Sequence, residues 1–198
     1  MRSIGITGGV GCGKSSIMNY LKENCSCEIL LADEVAHLVR ARGGRAFPAL
    51  VEVLGTEVLD DQGEIDRGKM AEKIFGDAAI LTRVNGIIHP AVREYILDRM
   101  AQLEKEGQAD YFFLEAALLI EEKYDEILDE IWYIYASEDV RRERLRTSRQ
   151  YSDEKIDAIM KSQLPEEEFR RHCAFEIDNS GSMEETFRQI HEKLEDME

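Results

Sequence analysis

The stretch Gly8-Gly9-Val10-Gly11-Cys12-Gly13-Lys14-Ser15 follows directly on the apolar run Ile4-Gly5-Ile6-Thr7 and leads into residues with helical spacing. It satisfies G-x-x-x-x-G-K-[ST], a pattern that works only between a strand and a helix. The start of the chain is therefore constrained to a β-loop-α unit. Gly8, Gly11 and Gly13 can take backbone angles closed to other residues, so successive N–H groups turn inward on phosphate oxygens. Lys14 carries a point charge to the β- and γ-phosphates, and the Ser15 hydroxyl is the expected Mg²⁺ ligand. Ile17, Met18 and Leu21 share one face of the following helix, about residues 13–24, whose positive end points at the same anion. Such a chain handles a nucleoside triphosphate, held by Gly9, Val10, Gly11, Cys12, Gly13, Lys14, Ser15 and Ser16.

Short apolar or β-branched runs predict strands at Ser3–Thr7, Glu28–Leu31, Asp110–Leu114, Glu130–Ala136 and Phe175–Asp178, as buried parallel strands require. Helices are expected at about 13–24, 34–41, 45–54, 67–75, 77–86, 91–106, 138–149, 153–162, 165–174 and 183–196. The alternation argues for an α/β fold: a five-stranded, mainly parallel sheet flanked by helices, with ligands at the carboxyl ends of the strands. Residues 34–108 are mostly helical and too long for a simple crossover, which suggests a helical substrate-binding insertion into a core of 1–33 and 109–198. Gly63, within Asp60-Asp61-Gln62-Gly63, marks a turn.

A net charge of −16 argues against nucleic acid as the main partner, because binding a polyanion depends on a basic surface. Cys12, Cys25, Cys27 and Cys173 form no C-x-x-C pair, and Met1 to Ser3 leads straight into the first strand, so a reducing, cytoplasmic compartment is expected. No apolar run reaches the roughly 18 residues of a membrane span. No obligate protein partner is evident.

Several further residues can carry chemistry. Asp33 ends the second strand, where its carboxylate can face a γ-phosphate from the acceptor side or cap a helix beginning at Glu34. Glu115 ends the third strand and either helps hold Mg²⁺ or serves as a cap or surface charge. Arg141, Arg142, Arg144, Arg146 and Arg149 crowd one helix of an otherwise acidic chain. They can close over a triphosphate, or pair with glutamates on the helix surface. His89 precedes Pro90 at an expected helix start. The absence of N-K-x-D, H-R-D and D-F-G sequences makes a GTPase or a protein kinase a poor fit. A small-molecule kinase acting on a nucleoside, a nucleotide or shikimate stays open, as does a nucleotide-dependent switch.

The ordered set of the loop, Ala32-Asp33 with Ala36-His37, Leu54-Gly55, Gly63-Glu64-Ile65-Asp66-Arg67, Phe75, Asn85-Gly86-Ile87-Ile88-His89-Pro90-Ala91-Val92, Leu118-Leu119-Ile120-Glu121, Gln163-Leu164-Pro165 and Asp178-Asn179-Ser180-Gly181-Ser182 resembles the dephospho-CoA kinases over almost the whole chain. The resemblance implies a P-loop kinase fold and transfer of a phosphoryl group from ATP, with Mg²⁺, to the ribose 3′-hydroxyl of dephospho-CoA, the last step of coenzyme A synthesis. It implies catalytic roles for Lys14, Asp33 and Arg144, and nucleotide contacts from the loop, Arg144 and Asn179. It further implies acceptor contacts from Asp33, His37, Arg67, His89, Leu118 and Glu121, and a lid at about 138–163. Four departures stand out. Ala117 replaces a family proline, Leu31 stands where an aspartate is frequent, Ser148 stands at the place of a second lid arginine, with Arg149 one residue on, and Cys12 stands where the family often has serine.

Overall fold

The computed structural model describes residues 1–197. Its elements are β1 (Arg2–Thr7), α1 (Lys14–Asn24), β2 (Cys27–Leu31), α2 (Ala32–Arg40), α3 (Phe47–Leu54), α4 (Arg67–Ile74), α5 (Ala78–Glu106), β3 (Tyr111–Glu115), β4 (Glu130–Tyr135), α6 (Glu138–Arg149), α7 (Asp153–Ser162), α8 (Glu166–His172), β5 (Phe175–Asp178) and α9 (Met183–Glu195). All five expected strands form. The chain divides into two compact units, residues 30–106 and the remainder.

The larger unit is a five-stranded parallel sheet in the order β2-β3-β1-β4-β5, flanked by helices. β1 is central, with Ile4 opposite Phe113 of β3 and Glu130 of β4. Ile4, Ile6, Phe112, Phe113, Leu114 and Trp132 are fully buried, as a sheet covered on both faces demands. Gly5 has no side chain because a Cβ there would meet Leu119 and Leu128 at 2.9 Å. Ser3 is fixed where β1 begins: its N–H and hydroxyl both donate to Asp129, at 2.7 and 2.8 Å. Aromatic stacking ties helices to the sheet and to each other, Tyr133 on Phe169 of α8 and Tyr20 of α1 on Phe187 of α9. Because β1 lies between β3 and β4, the loop leaving its carboxyl end emerges at the point where the strand order reverses, the usual ligand position in such sheets.

Residues 30–106 are helical. α2, α3 and α5 bury Val35, Val39, Leu50, Leu54, Val84 and Ile96 against one another. Asp66 caps α4 by accepting from the Lys69 N–H at 2.8 Å. The expected turn at Gly63 forms with φ +76°, and Asp60 accepts there from the N–H groups of Gln62 and Glu64.

Two expectations are corrected. Residues 78–106 are one helix of 29 residues with Pro90 inside it, so His89 does not precede a helix start but sits within α5. The proline removes a single N–H, that which would donate to Gly86. Val84 on one side and Ala91, Val92, Ile96 and Leu103 on the other bury a continuous face, and that packing outweighs the lost bond. The second correction concerns α2, which begins at Ala32 rather than Glu34. Leu31 is its N-cap and Asp33 lies in its first turn, so Asp33 is not a cap.

Candidate functional site

The loop from Gly8 to Ser15 wraps the start of α1. Gly11 and Gly13 hold φ +85° and +95°, the left-handed region that favours glycine. Gly13 is also the N-cap of α1, so the first turn of that helix offers its N–H groups to the same space. The loop carbonyls are pinned from outside. Arg141 donates through Nε to the Val10 oxygen at 3.0 Å, and Arg144 Nη1 donates to the Cys12 oxygen at 3.2 Å. Asn179, 1% exposed, donates through Nδ2 to the same Cys12 oxygen at 2.7 Å. A trans peptide points its C=O and N–H in opposite directions. Holding Val10 and Cys12 oxygens outward therefore turns the N–H groups of Gly11 and Gly13 inward, where an anion would sit.

A second tier holds these clamps. Arg144 Nη2 donates to the Asn179 oxygen at 2.8 Å, and the buried Thr186 hydroxyl donates to Asn179 Oδ1 at 2.9 Å. Gln163 Oε1 accepts from Arg141 Nη2 at 2.6 Å and from the Val10 N–H at 3.3 Å. The arginine-rich helix thus divides in two. Arg141 and Arg144, one turn apart beside the buried Leu145, face the loop. Arg142 pairs with Glu138 and Asp157, and Arg146 with Asp153. Arg141 and Arg144 bond to the main chain of the loop while Arg142 and Arg146 lie in surface ion pairs, and residue types alone did not single out Arg141 and Gln163 as contacts of the loop, or Thr186 behind Asn179. The 3.6-residue period links Arg141 to Arg144 and was the available signal.

Lys14 Nζ donates to the Gly8 oxygen at 2.7 Å and stands 3.9 Å from Glu115 Oε1, both side chains about a fifth exposed. Ser15 and Ser16 are exposed in the first turn of α1. Thr7, the last residue of β1, is buried and its hydroxyl has no hydrogen-bond partner, a polar atom left open where the strand enters the loop. Burial pushes the Cys12 thiol above its ordinary range, so this residue contributes main chain rather than a thiolate. Leu118 and Glu121 lie exposed in the turn after β3. No group of three or more His, Cys, Asp or Glu among the described residues could cage a metal. The oxygen donors beside the loop, the Ser15 hydroxyl and the Glu115 carboxylate, suit a hard cation that arrives with phosphate oxygens as its other ligands.

The helical unit assembles a second group. Asp33 is exposed, and one and two turns further along α2 are His37 and Arg40. Arg40 Nη2 lies 2.6 Å from His37 Nδ1, and Arg67 Nη2, from the start of α4, lies 3.0 Å from His37 Nε2. His37 has its pKa lowered by burial and by the two guanidinium groups, partly offset by Asp33 and Glu34. A neutral imidazole accepting from arginine fits that shift. Arg40 did not stand out from residue types either; only the fold brings it onto His37. His89 is half-buried within α5 of this unit.

The sequence model of a family described as dephospho-CoA kinase matches residues 2–185. The chain belongs to the dephospho-CoA kinase family. It is 36% identical over 191 residues to the dephospho-CoA kinase of Streptococcus mutans, covering 96% of this chain and 95% of that one. Among solved structures, TT1252 from Thermus thermophilus aligns with 29% identity and a TM-score of 0.79 over 100% of this chain and 98% of its own. The dephospho-CoA kinase from Campylobacter jejuni shares the fold, at 22% identity and a TM-score of 0.66 over 98% and 96% of the two chains. Membership of this family makes the chain a kinase with ATP as co-substrate.

Proposed function

We propose that this chain transfers the γ-phosphoryl group of MgATP to the ribose 3′-hydroxyl of dephospho-CoA, releasing coenzyme A and ADP. The observation that carries the reading is the family match over residues 2–185, on a loop whose carbonyls are held by Arg141, Arg144 and Asn179. In the reaction the acceptor oxygen bonds to the γ-phosphorus, the bond to the β,γ-bridging oxygen breaks, and the hydroxyl proton passes to Asp33 and on to water. Lys14 neutralises charge on the β- and γ-phosphates, the inward N–H groups hold their oxygens, and Arg144 adds charge from the lid, residues 138–163. Ser15, with Glu115 near it, would hold Mg²⁺, which when bound would supply charge neutralisation for the phosphates. Residues 34–108 take the acceptor, with His37, Arg67 and His89 contributing there and Leu118 and Glu121 from the turn after β3.

Four free cysteines support a reducing, cytoplasmic setting; burial raises Cys27 to about 11 and Cys173 to about 12. No helix among the described residues is long and apolar enough to cross a membrane. The test is ADP formation from ATP and Mg²⁺ with dephospho-CoA, set against nucleosides, nucleotides and shikimate. Stimulation by dephospho-CoA well above all other acceptors is expected. Stimulation by another acceptor alone would overturn the reading.

A further inference from the structure

Gly8, Gly11 and Gly13 take positive φ but Gly9 does not, so main-chain angle is not the reason for a glycine there. The reason is Arg141. A Cβ at Gly9 would stand 2.6 Å from Arg141 Cζ and closer still to Nη2, and that guanidinium is held on two sides. Its Nε donates to the Val10 oxygen at 3.0 Å and its Nη2 to Gln163 Oε1 at 2.6 Å, while the same Oε1 accepts from the Val10 N–H at 3.3 Å. A closed ring of three hydrogen bonds therefore holds both main-chain groups of Val10. Both partners of Oε1 are donors, which fixes the orientation of the Gln163 amide. Its main chain is fixed too. Gln163 is the C-cap of α7, its N–H donating to the Met160 oxygen, and it lies two residues before Pro165, the N-cap of α8, which stacks on the sheet through Phe169 and Tyr133.

We propose that Gln163 and Gly9 are positioning residues for the triphosphate, acting through Arg141 on the Gly9–Val10 and Val10–Gly11 peptides. A trans peptide points its C=O and N–H in opposite directions. With the Val10 N–H held toward Gln163, the Gly9 oxygen turns to the other side, where it accepts from the Cys12 N–H at 3.2 Å and closes the turn from residue 9 to residue 12. That turn carries Gly11, whose N–H is turned to the anion by the hold of Arg141 on the Val10 oxygen. Neither part suffices alone. Without Gln163 the guanidinium loses a charge-assisted bond and the Val10 N–H loses its acceptor. With a side chain at Gly9 the guanidinium has no room to reach Val10 or Gln163. This role rests on ATP being the co-substrate and holds whichever acceptor is phosphorylated.

The experiment measures the Kd of ATP with Mg²⁺ by calorimetry on the full chain, without acceptor, together with the melting temperature. The variants are Gln163→Ala, Gly9→Ala, Arg141→Ala and the two doubles that combine Arg141→Ala with each of the others. Gln163→Ala and Gly9→Ala should each weaken ATP binding about tenfold, the scale of one charged hydrogen bond. In the Arg141→Ala background each should add less than about twofold, because residues that act through one another are not additive. A purely structural Gln163 would instead lower the melting temperature on substitution and leave Kd unchanged, and that result would overturn the proposal. A loss from Gly9→Ala undiminished in the Arg141→Ala background would overturn it as well, since the added Cβ would then act on something other than the guanidinium. The Gly9→Ala pair decides by itself where Gln163→Ala does not fold. ATP binding by the wild type that no variant alters would overturn this role alone, whereas a wild type that binds no ATP would overturn it together with the nucleotide reading of the loop.

Discussion

Arg144 and Asn179 are bound to each other and to the same atom: the Arg144 guanidinium donates to the Asn179 main-chain oxygen at 2.8 Å, and both side chains donate to the Cys12 oxygen. A residue of α6 and a residue following β5 thus set the orientation of one peptide in the phosphate loop. Charge and loop geometry are coupled through this pair, so changing either residue alters both.

Arg144→Ala should lower kcat by about a thousandfold, the low end of what losing a charge-stabilising arginine costs in phosphoryl transfer. Arg141→Ala should come closer to that loss than Arg146→Ala, because Arg141 holds the Val10 oxygen while Arg146 sits in an exposed pair with Asp153. Exposed pairs contribute about 0–1 kcal/mol. Steady-state kinetics on the three variants checks the order; equal and small losses would make the whole helix a surface feature.

Lys14→Ala should abolish turnover with the melting temperature nearly unchanged. On the proposed reading the ammonium group serves the phosphates, and its bond to the Gly8 oxygen is one a water can replace. Lys14→Arg should fail too, since a planar fork does not fit a loop closed around a point charge. A folded Lys14→Ala protein with near-normal rates would remove the loop from the mechanism.

Asp33→Asn separates chemistry from folding. Asp33 lies in the first turn of α2 and is not its cap, so the substitution loses only a favourable charge at a helix start, about 0.3–1 kcal/mol. The catalytic rate should fall about a hundredfold or more if the carboxylate takes the hydroxyl proton. Rapid-quench measurement of the phosphoryl-transfer step reads this directly; an unchanged step would direct the search for the base to Glu115.

His37 should titrate below an ordinary histidine in the free protein, because burial, Arg40 and Arg67 disfavour its charged form. The unfolded chain then binds the proton more readily. The stability linked to His37 is fully present above the unfolded value, about 6.5, and is lost as pH falls through the lower folded value. Proton NMR of the imidazole follows this, and adding inorganic diphosphate should move the transition upward as the anion offsets the two guanidinium charges.

Pro90→Ala should raise the melting temperature, because α5 runs through this exposed position and regains a main-chain hydrogen bond. A proline inside a helix costs about 3 kcal/mol relative to alanine, which sets the upper limit of the gain. A lower melting temperature would show that the ring is needed for packing of α5.

Much of this protein is written in local sequence. The phosphate loop is contiguous, so Gly11, Gly13, Lys14 and Ser15 declare it without reference to any other residue. The five strands are short, mostly apolar runs, those of β1, β3 and β4 buried on both faces, and the runs mark them to within a residue or two. The cap at Asp66 and the turn at Gly63 depend on neighbours only a few positions away. What tertiary structure decided lies wherever a local preference met a distant partner. Pro90 signals a break in any isolated peptide, but the face from Val84 to Leu103 finds an apolar surface to cover, and burial along 29 residues exceeds one missing hydrogen bond. Five arginines in one helix are equivalent by type; only the approach of α6 to the loop divides Arg141 and Arg144 from Arg142 and Arg146. His37 and Arg67 are 30 positions apart, and their contact exists because α2 and α4 both pack on α5. Motif and strand follow from residue order because their energies are local. Orientation of a charged side chain follows from the fold, because in water every rotamer is well solvated and only a specific, partly dry partner selects one.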